Sequence, residues 1–82
     1  MPSVEFGQEG ITIGRATANS LVLNDGQVSR LHARIDYENG VWSIRDLNSR
    51  NGTFVNGKRI AVQSLRAGDQ IAIGVSLLIF QA

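Results

Sequence analysis

The sequence predicts an all-β fold: a two-sheet β-sandwich of short, mainly antiparallel strands. Three observations lead there. Short runs rich in β-branched and aromatic residues recur along the whole 82 residues, and nine glycines and one proline punctuate them. No window of about 11 residues or more carries the apolar period of an amphipathic helix. Strands at short intervals, separated by turn residues, are the pattern of a sandwich or barrel.

Taken in order, Ser3-Val4-Glu5-Phe6 is a short first candidate strand, followed by Ile11–Ile13, Leu21–Leu23 and His32–Tyr37. Alternation within Ala33-Arg34-Ile35-Asp36-Tyr37 puts Ala33, Ile35 and Tyr37 on one face. Val41–Asp46 alternates likewise, with Trp42 and Ile44 opposite Ser43 and Arg45. Glu38-Asn39-Gly40 joins these two strands as a hairpin loop. Asn56-Gly57 joins Thr53–Val55 to Lys58–Ile60, because a two-residue type I′ turn needs positive φ at both central residues. Gln70–Ile73 and Ser76–Phe80 complete the set. Leu77-Leu78-Ile79-Phe80 reads as a closing strand buried on both faces or nearly so, and Tyr37, Trp42 and the phenylalanines read as core. Residues 1–82 read as a single domain, without repeat or linker.

Composition removes several function classes. A domain this small buries only about 60% of the surface its unfolded chain exposes, which leaves little structure for an enclosed catalytic cleft. The absence of cysteine rules out disulfides and thiol chemistry and fits a reducing, cytoplasmic compartment. A formal net charge of +1 argues against a nucleic-acid partner. No apolar run approaches the roughly 18–20 residues of a membrane span, and Met1-Pro2 opens no signal peptide, so no direct membrane contact is expected. Asp46 and Asp69 have no partner at ligand spacing and read as loop-bonding acids, so neither metal nor cofactor is expected.

Three polar clusters fall where the pattern calls for loops: Gly14-Arg15 with the residues to Ser20, Ser29-Arg30-Leu31-His32, and Asn48-Ser49-Arg50-Asn51-Gly52-Thr53. Arg15, Arg30 and Arg50 offer guanidinium forks shaped for phosphate or carboxylate oxygens, Ser29 a hydroxyl donor, and Asn51 an amide that pairs with extended backbone. None of the clusters contains an acid. That inventory suits a phosphate dianion.

The ordered set Gly14-Arg15, Asn19 with Leu21-Val22-Leu23, Ser29-x-x-His32, Asp46-Leu47-x-Ser49-x-Asn51-Gly52-Thr53-x-Val55-Asn56-Gly57, and Leu65-x-x-Gly68-Asp69-x-Ile71-x-Ile73-Gly74 resembles the forkhead-associated (FHA) domain family from about Ile11 to Phe80. The resemblance implies a sandwich whose functional loops, at one end, bind phosphothreonine-containing peptides or proteins in signalling or regulated assembly. It places Arg15 and Ser29 on the phosphate and Asn51 on the peptide main chain, with Arg30 facing the phosphate or a neighbouring residue. Gly14, His32 and Gly52 hold the loops in shape. Arg50 departs from the family, where threonine or serine commonly precedes the asparagine; it either adds a phosphate contact or points to solvent. The family usually carries a well-formed first strand paired with the last; here there is barely room for it, as expected of a domain excised from a longer protein.

Catalysis finds little support. A Ser29–His32–Asp46 relay can be written, but nothing supplies an oxyanion hole or substrate cleft, and the chain reads as a binding module and not an enzyme. The competing reading is a phospho-independent interaction or oligomerisation module, self-associating through an open edge of the closing strand.

Overall fold

The structure, a computed structural model, describes residues 3–82. Nine strands form: β1 Ile11–Gly14, β2 Leu21–Val22, β3 Ala33–Glu38, β4 Val41–Asp46, β5 Thr53–Val55, β6 Lys58–Ile60, β7 Val62–Leu65, β8 Gln70–Ile73 and β9 Ser76–Ile79. They make a five-stranded sheet in the order β2-β1-β3-β4-β7 and a four-stranded sheet in the order β6-β5-β8-β9. All pairings are antiparallel except β1 with β2, which runs parallel. The expected all-β sandwich is what forms, and no helix occurs among the described residues.

Two of the three hairpin turns are two-residue Asn-Gly turns; the third, between β8 and β9, is Gly74-Val75. Asn39 and Gly40 have φ of 53° and 80°, and Asn56 and Gly57 of 50° and 85°. These turns set the register, with Glu38 opposite Val41 and Val55 opposite Lys58. Alternation then sends Ile11, Ile13, Ala33, Ile35 and Ile44 inward from one sheet and Val55, Ile71 and Ile73 from the other, all buried. Trp42 packs against this core and gathers the aromatics, edge-on to Phe6 at 5.4 Å and tilted against Tyr37 and Phe80 at 4.8 and 5.8 Å between ring centroids.

Several expectations need correction. Ser3–Phe6 forms no strand and joins no ladder; Phe6 packs against the core and Trp42. The closing strand is not buried on both faces: Leu77 and Ile79 are 56% and 44% exposed. Its apolar run lies at a sheet edge, where alternate side chains turn to the outside. Phe54 is only half-buried, since Thr53 and Val55 on either side take the inward positions. Val62–Leu65, outside the expected set, is the edge strand β7, with Leu65 alone buried.

The register fixes one end of the sandwich. Ala33 lies opposite both Ile13 and Asp46, so the end of β1, the start of β3 and the end of β4 lie side by side. The polar loops project from that end.

Candidate functional site

The three loops are laced together through backbone. Arg15 N donates to Ser29 O at 3.0 Å, Ala16 N to Arg30 O at 3.1 Å, His32 N to Ile13 O at 2.8 Å and Leu47 N to His32 O at 2.9 Å. Gly14 sits at the tightest point, where a Cβ would stand 2.3 Å from the Arg30 carbonyl oxygen. Asn19 fastens the same junction, its Nδ2 donating to Ala16 O at 2.8 Å and Arg30 O at 2.7 Å.

His32 is fully buried and links two loops at once. Its Nδ1 accepts from Ser29 N at 3.0 Å, which leaves Nε2 carrying the proton it donates to Gly52 O at 2.9 Å. Gly52 has a φ of +92°, a left-handed backbone conformation that favours glycine. His32 does not touch the Ser29 hydroxyl, so the Ser29–His32–Asp46 relay that can be written on paper does not form.

The loop after β4 is shaped on Asp46. Its carboxylate accepts from Ser49 N at 3.1 Å, from Ser49 Oγ, and from Thr53 Oγ1 at 2.7 Å, and Ser49 Oγ accepts in turn from Gly52 N at 3.0 Å. Burial pushes the Asp46 carboxyl up, but the hydrogen bonds from Ser49 and Thr53 outweigh it and hold the group below its ordinary value of 3.8. Asp25 shapes the loop before β3 in the same way, accepting from Val75 N at 2.8 Å and Gln27 N at 2.9 Å. Those two backbone bonds lower its pKa. Asp69, between β7 and β8, bonds Arg66 N and Asn56 Nδ2, as expected of a loop-bonding acid.

These ties bring Arg15, Ser29, Arg30, Arg50 and Asn51 around one cleft of about 240 Å³, together with Gly26, Gln27 and Val28. Arg15 is anchored by its Nε, which donates to Val28 O at 3.2 Å, and its terminal nitrogens remain available. The Ser29 hydroxyl accepts from Arg50 N at 3.0 Å, which leaves its own proton to donate. Asn51 Nδ2 donates to Gln27 O at 2.8 Å, closing the loop before β3 onto the loop after β4. Its Oδ1 and second N–H remain for another partner. The one ion pair among the described residues, Arg34 with Asp36, lies elsewhere on β3. The cleft is therefore cationic without internal neutralisation. It is built to receive an anion with several acceptor oxygens next to an extended backbone.

Asn19, Ser49 and Thr53 stand in the polar clusters of the sequence but were not marked there as loop-holding residues. Their part depends on strand register, which no local pattern announces. The nearest signal is their place in the ordered pattern of residues shared with the family.

A sandwich with an anion cleft built from three interlocked loops at one end defines a loop-borne recognition module. The FHA domain family model matches residues 11–74, and the chain belongs to this family. It is 43% identical over 76 residues to the ABC transporter ATP-binding/permease protein Rv1747 of Mycobacterium tuberculosis, covering 93% of this chain and 9% of that protein. It is 39% identical over 75 residues to the oxoglutarate dehydrogenase inhibitor of Corynebacterium efficiens, covering 92% of this chain and 53% of that one. Among solved structures it superimposes with a TM-score of 0.88, at 35% identity and covering 94% of this chain and 80% of the other, on one from a structural and functional analysis of phosphothreonine-dependent FHA domain interactions. The chain thus spans about half or less of the length of these two curated relatives.

Proposed function

We propose that this domain is a phosphothreonine-dependent peptide-binding module, not an enzyme, acting in the cytoplasm as one part of a longer signalling or assembly protein. The observation that carries the reading is the cleft itself: a guanidinium anchored at Nε, a serine hydroxyl with its proton to donate, and an asparagine amide with spare valence, all on braced loops. Arg15 grips phosphate oxygens through its terminal nitrogens, and Ser29 donates its hydroxyl proton to another. Arg30 supplies further positive charge, and Asn51 pairs with the peptide main chain beside the phosphothreonine. Gly14, His32 and Gly52 hold these groups in place and do not touch the ligand. The similarity to a structure from work on phosphothreonine-dependent FHA interactions supports this reading. So does the fit to a solved FHA domain in complex with the intracellular domain of Rv3910.

Charge-assisted hydrogen bonds are worth about 1.5–3 kcal/mol each. A few of them, less the cost of ordering a peptide, give micromolar affinity, about −8 kcal/mol. The pH dependence has two separate windows. The second phosphate pKa is about 6, so binding is full above that value and weakens as the dianion takes up a proton. The Asp46 and Asp25 carboxylates, held below 3.8, keep the loops braced until far more acid conditions; their contribution to stability is present above 3.8 and lost as pH falls further. Titration of a phosphothreonine peptide from neutral pH to about 5 is therefore expected to show weakening affinity with unchanged circular dichroism. Flat affinity over that range would count against a dianionic ligand. Ser29→Ala is expected to weaken binding roughly tenfold, as the loss of one such bond implies.

A second reading is favoured by a different feature. A wide apolar groove of about 1310 Å³ opens along the flank, lined by Phe6, Ile11, Trp42, Leu77 and Ile79 among others. β9 borders it as an edge strand, and no residue from Gly74 to Ala82 is charged, whereas the opposite edge β6 carries Lys58 and Arg59. A second copy pairing along β9 would cover the groove without bringing like charges together. Light scattering over a concentration series is expected to show growing mass, suppressed by Leu77→Lys. A strictly monomeric profile would remove this reading.

A further inference from the structure

Resting on the phosphothreonine reading, we infer that Arg50 makes the site selective for ligands with a second anionic group, a carboxylate or another phosphoryl, close in sequence to the phosphothreonine. Three arginines, Arg15, Arg30 and Arg50, line the cleft, and each carries one positive charge. A bound phosphothreonine brings a charge of about −2, so 3 − 2 leaves about one positive charge uncompensated. The protein does not supply the missing anion. Asp25 and Asp46, the carboxylates nearest in sequence to Arg30 and Arg50, are committed to loop amides and hydroxyls, and the one ion pair among the described residues involves no cleft arginine. Arg50 is also placed for the task. Its backbone N–H bonds Ser29 Oγ, so its side chain leaves the main chain directly beside the phosphate-facing hydroxyl and before Asn51, which addresses the peptide backbone. An exposed guanidinium there meets a residue flanking the phosphothreonine and presents a fork to whatever oxygens that residue carries.

The test is calorimetric titration of synthetic phosphothreonine peptides. One has alanine at every flanking position. A second set moves a single glutamate through the three positions on either side, a third does so with phosphoserine, and a fourth with lysine. In the wild-type protein at least one glutamate position is expected to tighten binding about two- to fivefold over the alanine peptide. If phosphoserine gains at that position and glutamate does not, the second anion is a phosphoryl group. Arg50→Ala keeps the backbone bond to Ser29, so its loops stay in place; the ratio of affinities for acidic and alanine peptides should fall to about one. Arg50→Glu should turn the preference towards lysine. An equal affinity for acidic and alanine peptides in the wild type, or a gain that survives Arg50→Ala, overturns the inference. The alanine peptide alone tests the underlying phosphothreonine reading, and if it and all the others fail to bind, both fall together.

Discussion

Arg15→Ala is expected to weaken phosphothreonine-peptide binding by a factor of 100 or more while barely changing the stability of the domain. The two halves of that expectation come from different contacts. In the fold, the Arg15 side chain contributes one part-buried hydrogen bond, from Nε to Val28 O at 3.2 Å, so its loss should cost about 1 kcal/mol of stability. On the proposed ligand, two charge-assisted bonds from its terminal nitrogens would be worth about 1.5–3 kcal/mol each, and about 3 kcal/mol already exceeds a hundredfold in affinity. Arg15→Lys keeps the charge but not the fork, and should recover only part of the loss. Calorimetry paired with thermal melts separates the two effects. A variant that bound normally would mean that the cleft is not where the phosphate sits.

The largest stability effect is expected at His32. The ring is fully buried and satisfies a backbone N–H on one loop and a backbone carbonyl on another. His32→Ala leaves both groups without partners, at about 1–3 kcal/mol each, and opens a cavity besides. A total of roughly 3–5 kcal/mol, at about 4–8 °C per kcal/mol for a domain of this size, corresponds to a fall in Tm of about 12–40 °C. His32→Phe refills the cavity but restores neither hydrogen bond, and should remain well below the wild type. Full recovery in His32→Phe would show that packing, not the bridge between loops, is what His32 contributes. Peptide affinity should fall in both variants, because Ser29 and Gly52 are the two ends of that bridge.

Much of this architecture was legible in the sequence for physical reasons that can be named. Asn56-Gly57 announced its turn because few other pairs accept positive φ at both positions, whereas the loop expected over Glu38-Asn39-Gly40 is one residue shorter, since Glu38 pairs with Val41. Ala33, Ile35 and Ile44 announced the inward face because a half-buried strand must alternate. The five site residues could be marked because each stands in a polar stretch between strands, and the structure brings all five to one cleft. What stayed hidden depends on neighbours. Val62–Leu65 carries no clear alternation because an edge strand with one buried residue needs none. Leu77 and Ile79 looked buried because an apolar run does not reveal whether a strand lies inside a sheet or at its rim. Asp46 is the loop-bonding acid the sequence suggests, but its partners Ser49 and Thr53, and the bracing by Asn19, follow from how the strands and loops assemble. The open flank likewise becomes visible only once both sheets are assembled.

The central claim is that the cleft reads a phosphate on threonine. The most direct measurement is calorimetric titration with degenerate peptide libraries fixed at phosphothreonine, phosphoserine or unmodified threonine. The account predicts saturable, micromolar binding to the phosphothreonine library and none to the unmodified one. Phosphoserine should bind more weakly by at least about fourfold, the worth of one buried methyl group. Equal binding to phosphothreonine and unmodified threonine, or no binding to either by a folded sample, would contradict it.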